Sequence, residues 1–295
     1  MSAPELSVAV ASINGLPYLA ACLDALEQHA PEAEVVVADW TDEPTRSLVS
    51  ERWPGVKLLS FEEPMAVPEL RAAAIFEAQA PYVAVIEDHC NVRAGWFQGF
   101  VEAHRAGHSV VGGSIRNVCT RRIRDWAAFF CEYSAFMEPA EGGSVEGLVG
   151  MNVSYDRHAL AAIDDLLREG RWETWLHPRL RERGFGLWSE PTIVIEHAKG
   201  FGFFEFVSQR YHYSRSYAGT RNADLGRRRF LYALGSPLLV PLAYARIARN
   251  VRARPSYRPD FRRATPLILV YTAVWALGEA IGYIFGGGRS ILKIR

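Results

Sequence analysis

Polar residues that could bind a ligand follow three short apolar segments in the N-terminal third of the chain. These residues are Ser12 and Asn14, then Asp39, and then the triplet Glu87, Asp88 and His89. A carboxylate next to an imidazole at the end of a buried strand can hold Mg²⁺ or Mn²⁺ against a diphosphate. The alternative for the triplet is a solvated turn, because acidic residues commonly follow strands. The triplet is therefore the first candidate for a metal-assisted phosphate site.

The elements that must position these residues alternate between strands and helices. Short apolar runs predict strands over residues 6–11, 34–39, 56–61 and 82–87, and the residues between them have helical spacing or helix-favouring composition. Strands and helices that alternate in this way imply right-handed βαβ units and a doubly wound, mainly parallel sheet. Ligands bind such sheets at the carboxyl ends of the strands, where the polar residues lie. The chain is therefore predicted to have an α/β fold.

The alternation is less regular after residue 100. We predict further strands over residues 110–113 and 193–196 and helices over 156–168 and 172–183. A long aromatic stretch occupies residues 123–137. The chain has no internal repeat, so a repeat architecture is not expected.

Composition and absent motifs exclude several classes of protein. With 49% hydrophobic and 22% charged residues, the chain is predicted to be globular rather than disordered or fibrous. The first strand is followed by Ser-Ile-Asn-Gly instead of G-x-G-x-x-G, and no Walker A motif is present, so a nucleotide site must use side chains and a metal. The four cysteines form no C-x-x-C pair, which disfavours a disulfide framework and a structural zinc site and favours a reducing compartment.

The charge of the chain is divided between its two parts. Residues 1–200 contain 17 Lys and Arg against 29 Asp and Glu, and residues 201–295 contain 16 against 4, so the parts carry −12 and +12. An acidic body followed by a basic, aromatic and apolar tail indicates attachment to an anionic partner, either a membrane surface or a nucleic acid. The apolar segments of the tail favour the membrane, and we expect no nucleic acid partner.

Two apolar segments occupy the tail, at residues 231–245 and 266–285, and the second is long enough to span a bilayer. Basic residues precede, separate and follow them, so the positive-inside rule opposes placing any flank across the membrane. We therefore expect helices that lie in the plane of the cytosolic leaflet, with a spanning hairpin or a soluble helical domain or oligomer interface as alternatives. The N-terminal residues lack the features of a signal peptide, which predicts a location at the cytoplasmic face of the cell membrane.

Five segments, in their order and spacing, resemble the family 2 glycosyltransferases of the GT-A fold. They are the strand, Asn-Gly turn and leucine-rich helix of residues 8–26, the strand ending VVVAD, the alanine-rich helix with Arg71, the VIED strand followed by Gly95-Trp96, and residues 150–155. The resemblance covers about residues 5–200. It implies a nucleotide-sugar glycosyltransferase domain over residues 1–200, followed by a basic aromatic segment and membrane-associated helices over residues 201–295.

The resemblance implies a binding site for a nucleotide diphosphate sugar donor. Its residues are Ser12, Asn14, Asp39, Arg71, Glu87 and Asp88. Asp39 matches the acidic residue that contacts the nucleotide base or ribose, and Ser12 and Asn14 lie in the loop that lines the same pocket.

The resemblance also implies a metal site, because Glu87-Asp88-His89 matches the Asp-x-Asp motif with His in place of the last carboxylate. Asp88, His89 and, after the late strand, His197 are then the expected ligands of Mn²⁺ or Mg²⁺. The alternative for His197 is a hydrogen-bonded histidine at a strand end.

On the acceptor side, the resemblance implies a general base at the start of a helix, and Glu173 occupies the matching place. An inverting transfer needs this carboxylate because the acceptor oxygen loses its proton as it attacks the anomeric carbon. The alternative is that Glu173 is a surface residue favoured in the first turn by the helix dipole. Trp172 and Trp175 stack on sugar or simply pack. Gln209 and Arg215 are predicted to contact the acceptor or the diphosphate, or to form a basic face toward lipid headgroups.

These observations predict an inverting, metal-assisted glycosyltransferase that moves one sugar to a membrane-located, lipid-linked acceptor. Transfer of a single sugar is expected because the segment that starts at Gln209 departs from the Gln-x-x-Arg-Trp pattern of processive members. A catalytically degenerate donor-binding protein is one alternative, suggested by His89 in the metal motif. A nucleotidyltransferase is another, although the chain lacks the glycine-rich basic loop that such an enzyme needs near its N-terminus.

Overall fold

The computed structural model describes residues 3–294 of the chain. Two compact units are present, one comprising Met1–Val118 and Phe136–Lys199 and the other Cys119–Ala135 and Gly200–Arg295. The first is a mixed α/β domain, and the second consists of helices. Residues 119–135 thus belong to the helical unit although they lie, in sequence, inside the predicted glycosyltransferase domain.

One nine-stranded sheet forms the centre of the first unit. Its strands are β1 (Leu6–Ser12), β2 (Glu34–Asp39), β3 (Lys57–Ser60), β4 (Tyr82–Glu87), β5 (Cys90–Val92), β6 (Val110–Asn117), β7 (Gly143–Val145), β8 (Val153–Asp156) and β9 (Leu187–His197). Their order is β3-β2-β1-β4-β8-β6-β9-β5, with β7 paired to β9. Pairing is parallel from β3 to β4 and between β6 and β9, whereas β8 runs antiparallel to both β4 and β6. The predicted α/β fold class is confirmed, and the sheet is mixed beyond β4.

The helices flank this sheet in the first unit and make up the second. In chain order they are α1 (Tyr18–His29), α2 (Glu43–Arg52), α3 (Val67–Glu77), α4 (Trp96–Arg105), α5 (Ile123–Tyr133), α6 (Arg157–Ala161), α7 (Asp164–Arg168), α8 (Glu173–Glu182), α9 (Phe203–Thr220), α10 (Asn222–Leu225), α11 (Arg229–Gly235), α12 (Leu239–Arg252) and α13 (Arg258–Phe285). Helix α3 packs on β1 and β2, and α4 packs on β6 and β9. Helices α5 and α9–α13 belong to the second unit.

The central strand β1 is buried along its whole length. Both of its faces are covered, which explains why it reads as a continuous apolar run rather than an alternating one. In the parallel register, Ser12 lies beside Asp39 of β2, and Ala11 lies beside Glu87 of β4. The carboxyl ends of these three strands therefore meet at one edge of the sheet, as the candidate site requires.

Two elements differ from their predicted bounds. The helix predicted over residues 156–168 is two short helices, α6 and α7, preceded by β8. Asp156 ends β8 and caps α6 by accepting a hydrogen bond from Ala159 N at 2.7 Å, and Ile163, with φ −127°, interrupts the helical path. Strand β9 is longer than predicted because Pro191 lies where β6 and β9 change register, so its first half shows no apolar run.

The second unit is built on α13, against which α5 and α9 pack. Helices α9 and α13 approach closely because α13 carries glycine at two contact positions. A Cβ added at Gly278 would lie 2.5 Å from the carbonyl oxygen of Tyr211, and one at Gly282 would lie 2.5 Å from that of Arg215. A larger residue at either position would force the helices apart.

Two stretches of this unit are long and apolar enough to cross a membrane. They are Asn222–Arg252 and Pro255–Phe285, which contain 18-residue windows with mean hydropathies of 1.4 and 1.7. In the first stretch 11% of this 18-residue window is buried, and in the second stretch 44% is buried. Core helices of soluble proteins meet the same criterion, so these helices on their own support membrane association weakly.

Candidate active site

Asp88 anchors the loop between β1 and α1. Its Oδ2 atom accepts hydrogen bonds from the backbone N–H groups of Ile13, Asn14 and Gly15 at 2.8, 2.6 and 3.2 Å, and its Oδ1 atom accepts one from Asn14 Nδ2 at 2.6 Å. Burial would raise the pKa of Asp88, but hydrogen bonds from His89 and Asn14 outweigh it and lower the pKa below its usual value. The predicted metal ligand is therefore an ionised group that is already engaged by the protein.

Ser12 and Asp39 meet in a second buried network. Asp39 Oδ1 accepts hydrogen bonds from Ser12 Oγ and Thr41 Oγ1, both at 2.7 Å. Asp39 Oδ2 accepts one from Thr41 N at 3.1 Å and one from Arg46 Nε at 3.3 Å. These contacts hold the ends of β1 and β2 together and give the Asp39 carboxylate a fixed orientation.

Arg71 joins the end of β4 to the start of α8. From α3, its buried guanidinium donates one hydrogen bond to Glu87 Oε1 and one to Glu173 Oε2, the second at 3.0 Å. Burial would lower the pKa of Arg71, but the two carboxylates more than offset this effect and raise it. The guanidinium carbon also lies 5.4 Å from the centroid of the Trp172 ring. The predicted base is thus tethered to the carboxyl edge of the sheet.

Gly150 provides the space for this ion pair. A Cβ added at Gly150 would lie 2.5 Å from both Arg71 Nη1 and Glu173 Oε2. The adjacent Asn152 fixes the segment, because its Oδ1 atom accepts a hydrogen bond from Trp96 Nε1 at 2.9 Å. Two segments that carry the sequence resemblance, Gly95-Trp96 and residues 150–155, therefore meet in space and leave room beside Glu173.

The imidazole rings of His89 and His197 contact each other next to Asp88. Their ring centroids are 4.9 Å apart, and the buried His89 Nε2 atom makes no hydrogen bond and lies 3.6 Å from Glu87 Oε2. Burial, followed by the charges of His89 and Lys199, lowers the pKa of His197 well below its usual value. A neutral imidazole is the form that binds a metal.

These residues fit a divalent ion only in part. Within residues 3–294, no three His, Cys, Asp or Glu side chains converge as a metal held by the protein alone would require. Divalent ions at nucleotide sites are usually bound by one or two protein groups plus substrate phosphates. The unbonded His89 Nε2 atom, with His197 beside it, fits this second arrangement, in which the donor diphosphate completes the coordination.

Lys199 is a functional candidate that sequence reasoning missed. It follows β9 by two residues, is buried, and donates a hydrogen bond from Nζ to Asn14 Oδ1 at 2.7 Å. Its ammonium group therefore lies in the loop that Asp88 holds, where an anionic diphosphate is expected. Only the position of Lys199 just after a late strand could have indicated it, and that signal is weak.

The remaining predicted contacts lie on α8 and α9. Trp172 precedes Glu173, and both Trp172 and Trp175 are partly buried. In the second unit, Gln209 Nε2 donates to Glu132 Oε1 at 3.2 Å, and Arg215 Nε donates to the carbonyl oxygen of Gly286 at 3.1 Å. The side chains of Gln209 and Arg215 thus have partners within their own unit.

Comparison with known proteins places this arrangement among enzymes. A family model described as glycosyl transferase family 2 matches residues 7–162. No curated protein matches the chain by sequence. Among solved structures, the chain is similar to mannosyltransferase PcManGT from Pyrobaculum calidifontis in complex with GDP-Man and Mn²⁺, with a TM-score of 0.58 and 16% identity over 95% of this chain and 88% of that one.

Two further structures share the fold. One is GalNAc-T7 with UDP, GalNAc and Mn²⁺, with a TM-score of 0.52 and 14% identity over 66% of this chain and 44% of that one. The other is S. aureus TarS 1–349, with a TM-score of 0.52 and 13% identity over 94% of this chain and 90% of that one. At these identities the comparison shows a common architecture, and the donor, metal and acceptor of each structure belong to that protein.

Proposed function

The chain belongs to glycosyl transferase family 2 and has the GT-A fold, and on this premise we propose that it transfers a single sugar, with inversion, from a nucleotide diphosphate sugar to an acceptor. We assign Glu173 as the general base. The observation that carries the proposal is the position of Arg71, whose guanidinium binds both Glu87 at the end of β4 and Glu173 at the start of α8. Because ligands bind such sheets at the carboxyl ends of the strands, this bridge holds a carboxylate beside the expected donor.

The proposed reaction is a single displacement at the anomeric carbon. The acceptor hydroxyl oxygen attacks the face of the sugar opposite the diphosphate, and Glu173 takes the hydroxyl proton. The bond to the diphosphate oxygen breaks, and the diphosphate leaves with the electron pair. Arg71 orients Glu173 through their 3.0 Å hydrogen bond. The Glu173 side chain is 19% exposed, so an acceptor can reach it.

The departing diphosphate gains negative charge that the site has to stabilise. The Lys199 ammonium group, 2.7 Å from Asn14 Oδ1, supports this role from the protein side. A divalent ion held by His89 and His197 would supply further positive charge to the phosphates. We favour Mn²⁺ over Mg²⁺, because Mg²⁺ strongly prefers oxygen ligands and Mn²⁺ accepts imidazole more readily.

The donor-binding set is proposed to act through these same contacts. Ser12 and Asp39 shape the pocket for the nucleoside, since their mutual hydrogen bond fixes the ends of β1 and β2. Trp172 and Trp175 are proposed to line the acceptor sugar. Gln209 and Arg215 stay proposed contacts of the acceptor or the diphosphate, although both have partners inside the second unit.

We further propose that the acceptor is lipid-linked and that the second unit lies at the cytoplasmic face of the membrane. Four leucines of the stretch before residue 252 support this, because their side chains are 63–81% exposed; they are Leu231, Leu234, Leu238 and Leu242. Exposed apolar side chains next to arginines are typical of helices that lie in the membrane interface. Basic residues flank both apolar segments, which favours the in-plane orientation over a spanning one.

Transfer by the purified full chain tests the proposed function. Nucleoside diphosphates are first screened by calorimetry with and without Mn²⁺, and sugar nucleotides of the base that binds are then assayed with a membrane lipid extract as acceptor. Glu173→Gln is expected to keep donor affinity and to lower turnover by about 10²–10⁴, the range for loss of a general base. Glu182→Gln, at the other end of α8 and 72% exposed, is the matched control.

Each part of the proposal has an outcome that contradicts it. Turnover of Glu173→Gln near the wild-type level would place the base elsewhere. A product with the same anomeric configuration as the donor, measured by NMR, would contradict inversion. Equal turnover with and without a chelator would show that the reaction needs no divalent ion.

A donor-binding protein without turnover is the alternative that one observation favours. Both carboxylate oxygens of Asp88 are engaged by the β1–α1 loop, which leaves the metal motif poorer in available oxygen ligands than its position suggests. Donor binding without hydrolysis or transfer, for every sugar nucleotide of the base that binds, would select this alternative.

A further inference from the structure

A cleft with concentrated positive charge lies at the turn between α12 and α13. Its volume is about 470 Å³, within the range of small-molecule sites. Three of its lining residues are the arginines Arg252, Arg258 and Arg262, and the rings of Tyr244 and Phe261 also line it. All five residues belong to the second unit, so the cleft is formed within one compact body.

The arginines of this cleft make no ion pair among the residues that the structure describes. Asp260, the acidic residue in the first turn of α13, lies 3.9 Å from Arg263 instead. Arg258 Nη2 donates a hydrogen bond to the carbonyl oxygen of Arg252 at 2.7 Å, which fixes one guanidinium over the end of α12. Three like charges around one cleft repel each other, and attraction to an anion bound between them offsets part of that repulsion.

The chemistry of the cleft matches a phosphate attached to an apolar body. Guanidinium groups bind phosphate oxygens in a bidentate manner. In the same cleft, the Tyr244 and Phe261 rings stack with centroids 5.7 Å apart, and Phe261 packs edge-on against Phe130, also at 5.7 Å. A free inorganic phosphate has no group that would use these rings.

We propose that this cleft binds the phosphate headgroup of an anionic membrane lipid. The inference rests on the proposed membrane association of the second unit. A defined headgroup site, rather than diffuse attraction between arginines and a charged surface, would then hold the second unit at the membrane. The three guanidinium groups take the phosphate oxygens, and the aromatic rings contact the glycerol and the first carbons of the acyl chains.

Co-sedimentation of the full chain with lipid vesicles tests the proposal. The vesicles contain phosphatidylcholine with phosphatidylglycerol, and pure phosphatidylcholine vesicles serve as the neutral comparison. The variant R252Q/R258Q/R262Q removes three charges from the cleft, and the matched control R227Q/R228Q/R229Q removes three from another basic stretch of the same unit. We expect the cleft variant to lose at least about tenfold more vesicle affinity than the control, whereas diffuse attraction predicts equal losses because each arginine near the surface contributes similarly.

A charge-conserving variant tests the geometry. R252K/R258K/R262K keeps every charge but lacks the planar fork that binds phosphate bidentately, so its vesicle affinity is expected to fall with that of the glutamine variant. Affinity equal to the wild type would overturn the proposal, as would equal losses in the two glutamine variants. Inorganic phosphate that binds the wild type but not R252Q/R258Q/R262Q in calorimetry without vesicles, together with equal vesicle affinity of these two proteins, would assign the cleft to free phosphate and overturn the lipid assignment.

Donor turnover in the same samples separates this inference from the proposed function. Intact turnover with equal vesicle binding by all variants overturns the headgroup site alone. A wild-type chain that binds no vesicles overturns both the headgroup site and the membrane association. A chain that binds vesicles through the cleft but never turns over a donor overturns glycosyl transfer and leaves the headgroup site standing.

Discussion

Asn14 donates two hydrogen bonds to Asp88, one from its backbone N to Oδ2 and one from its side-chain Nδ2 to Oδ1, each 2.6 Å long. Lys199 donates to the same Asn14 side chain from the other side, at 2.7 Å. A loop that follows β1 is thereby fixed both to the end of β4 and to the residues after β9. The main role expected of Asp88 is therefore to hold this loop in place. An experiment can distinguish this role from direct binding of a metal by Asp88.

Asp88→Asn is expected to destabilise the loop, because an amide group would set its own N–H donors against those of Asn14 and Gly15. Leaving such buried donors unsatisfied costs about 1–3 kcal/mol, which urea unfolding would measure. Nucleoside diphosphate affinity should fall by a similar factor in EDTA and in Mn²⁺, as measured by calorimetry. Asp164→Asn, on the surface of α7, is the control. A loss confined to the Mn²⁺ samples would instead identify Asp88 as a metal ligand.

Gly150→Ala is expected to displace Glu173 from Arg71, since a Cβ there would lie 2.5 Å from atoms of both side chains. A misplacement of about 1 Å can cost about 10²-fold in rate, so turnover should fall by about that factor while donor affinity is kept. The control is Gly147→Ala, because nothing lies within 4 Å of a Cβ at that position. Equal steady-state kinetics for the two variants would show that the Arg71–Glu173 contact is dispensable.

Mn²⁺ binding is expected to require the nucleotide, because no three metal-binding side chains converge within residues 3–294. Electron paramagnetic resonance should show free Mn²⁺ with the protein alone and bound Mn²⁺ after a nucleoside diphosphate is added. His89→Ala should abolish the bound signal, and His158→Ala, an exposed histidine on α6, should leave it unchanged. Tight Mn²⁺ binding by the protein alone would contradict this expectation.

His104 is expected to make the first unit less stable in acid. It lies buried against Tyr82, with Nδ1 2.7 Å from the carbonyl oxygen of His108 and Nε2 2.8 Å from Ser154 Oγ. Because a carbonyl only accepts, Nδ1 must donate, and the neutral ring accepts from Ser154 at Nε2. Burial lowers the pKa of His104 from 6.5 to about 4.

Lowering the pH is expected to destabilise the first unit through His104. Below pH 6.5 the unfolded chain binds a proton at His104 that the folded chain does not, so stability falls as the pH decreases toward 4. The free energy of unfolding should decrease by up to about 1.4 kcal/mol per pH unit from this group. His104→Gln should reduce that slope in urea titrations at several pH values, and His158→Gln should not. An unchanged slope in His104→Gln would mean that the ring is already charged in the folded protein.

The strands that carry the donor-side residues could be predicted because each is a short apolar run. Strands β2 and β4 have their predicted bounds, and the polar residues after them lie at one edge of the sheet. A strand that is buried on both faces is a continuous apolar run, so it can be predicted from its own sequence without knowledge of the neighbouring strands.

The partners of the site residues could not be predicted, because they join distant parts of the chain. Arg71 and Glu173 are separated by 102 positions, and Asn14 and Lys199 by 185. No local pattern reports such contacts. The sequence predicts Asp88 as a metal ligand, and that role stays a prediction. The N–H groups that bind its carboxylate come from residues 73–75 positions away, so no local pattern could indicate them.

The guanidinium of Arg71 is shared by two carboxylates, so Arg71, Glu87 and Glu173 together carry one positive and two negative charges, a formal total of −1. If Glu173 takes the acceptor's proton, this trio becomes neutral while the leaving diphosphate gains charge, and the repulsion between them falls during the reaction. Loss of that proton to solvent restores the negative charge beside the spent nucleotide. The same three side chains that favour departure of the leaving group would then favour its expulsion, which would couple product release to the resetting of the base.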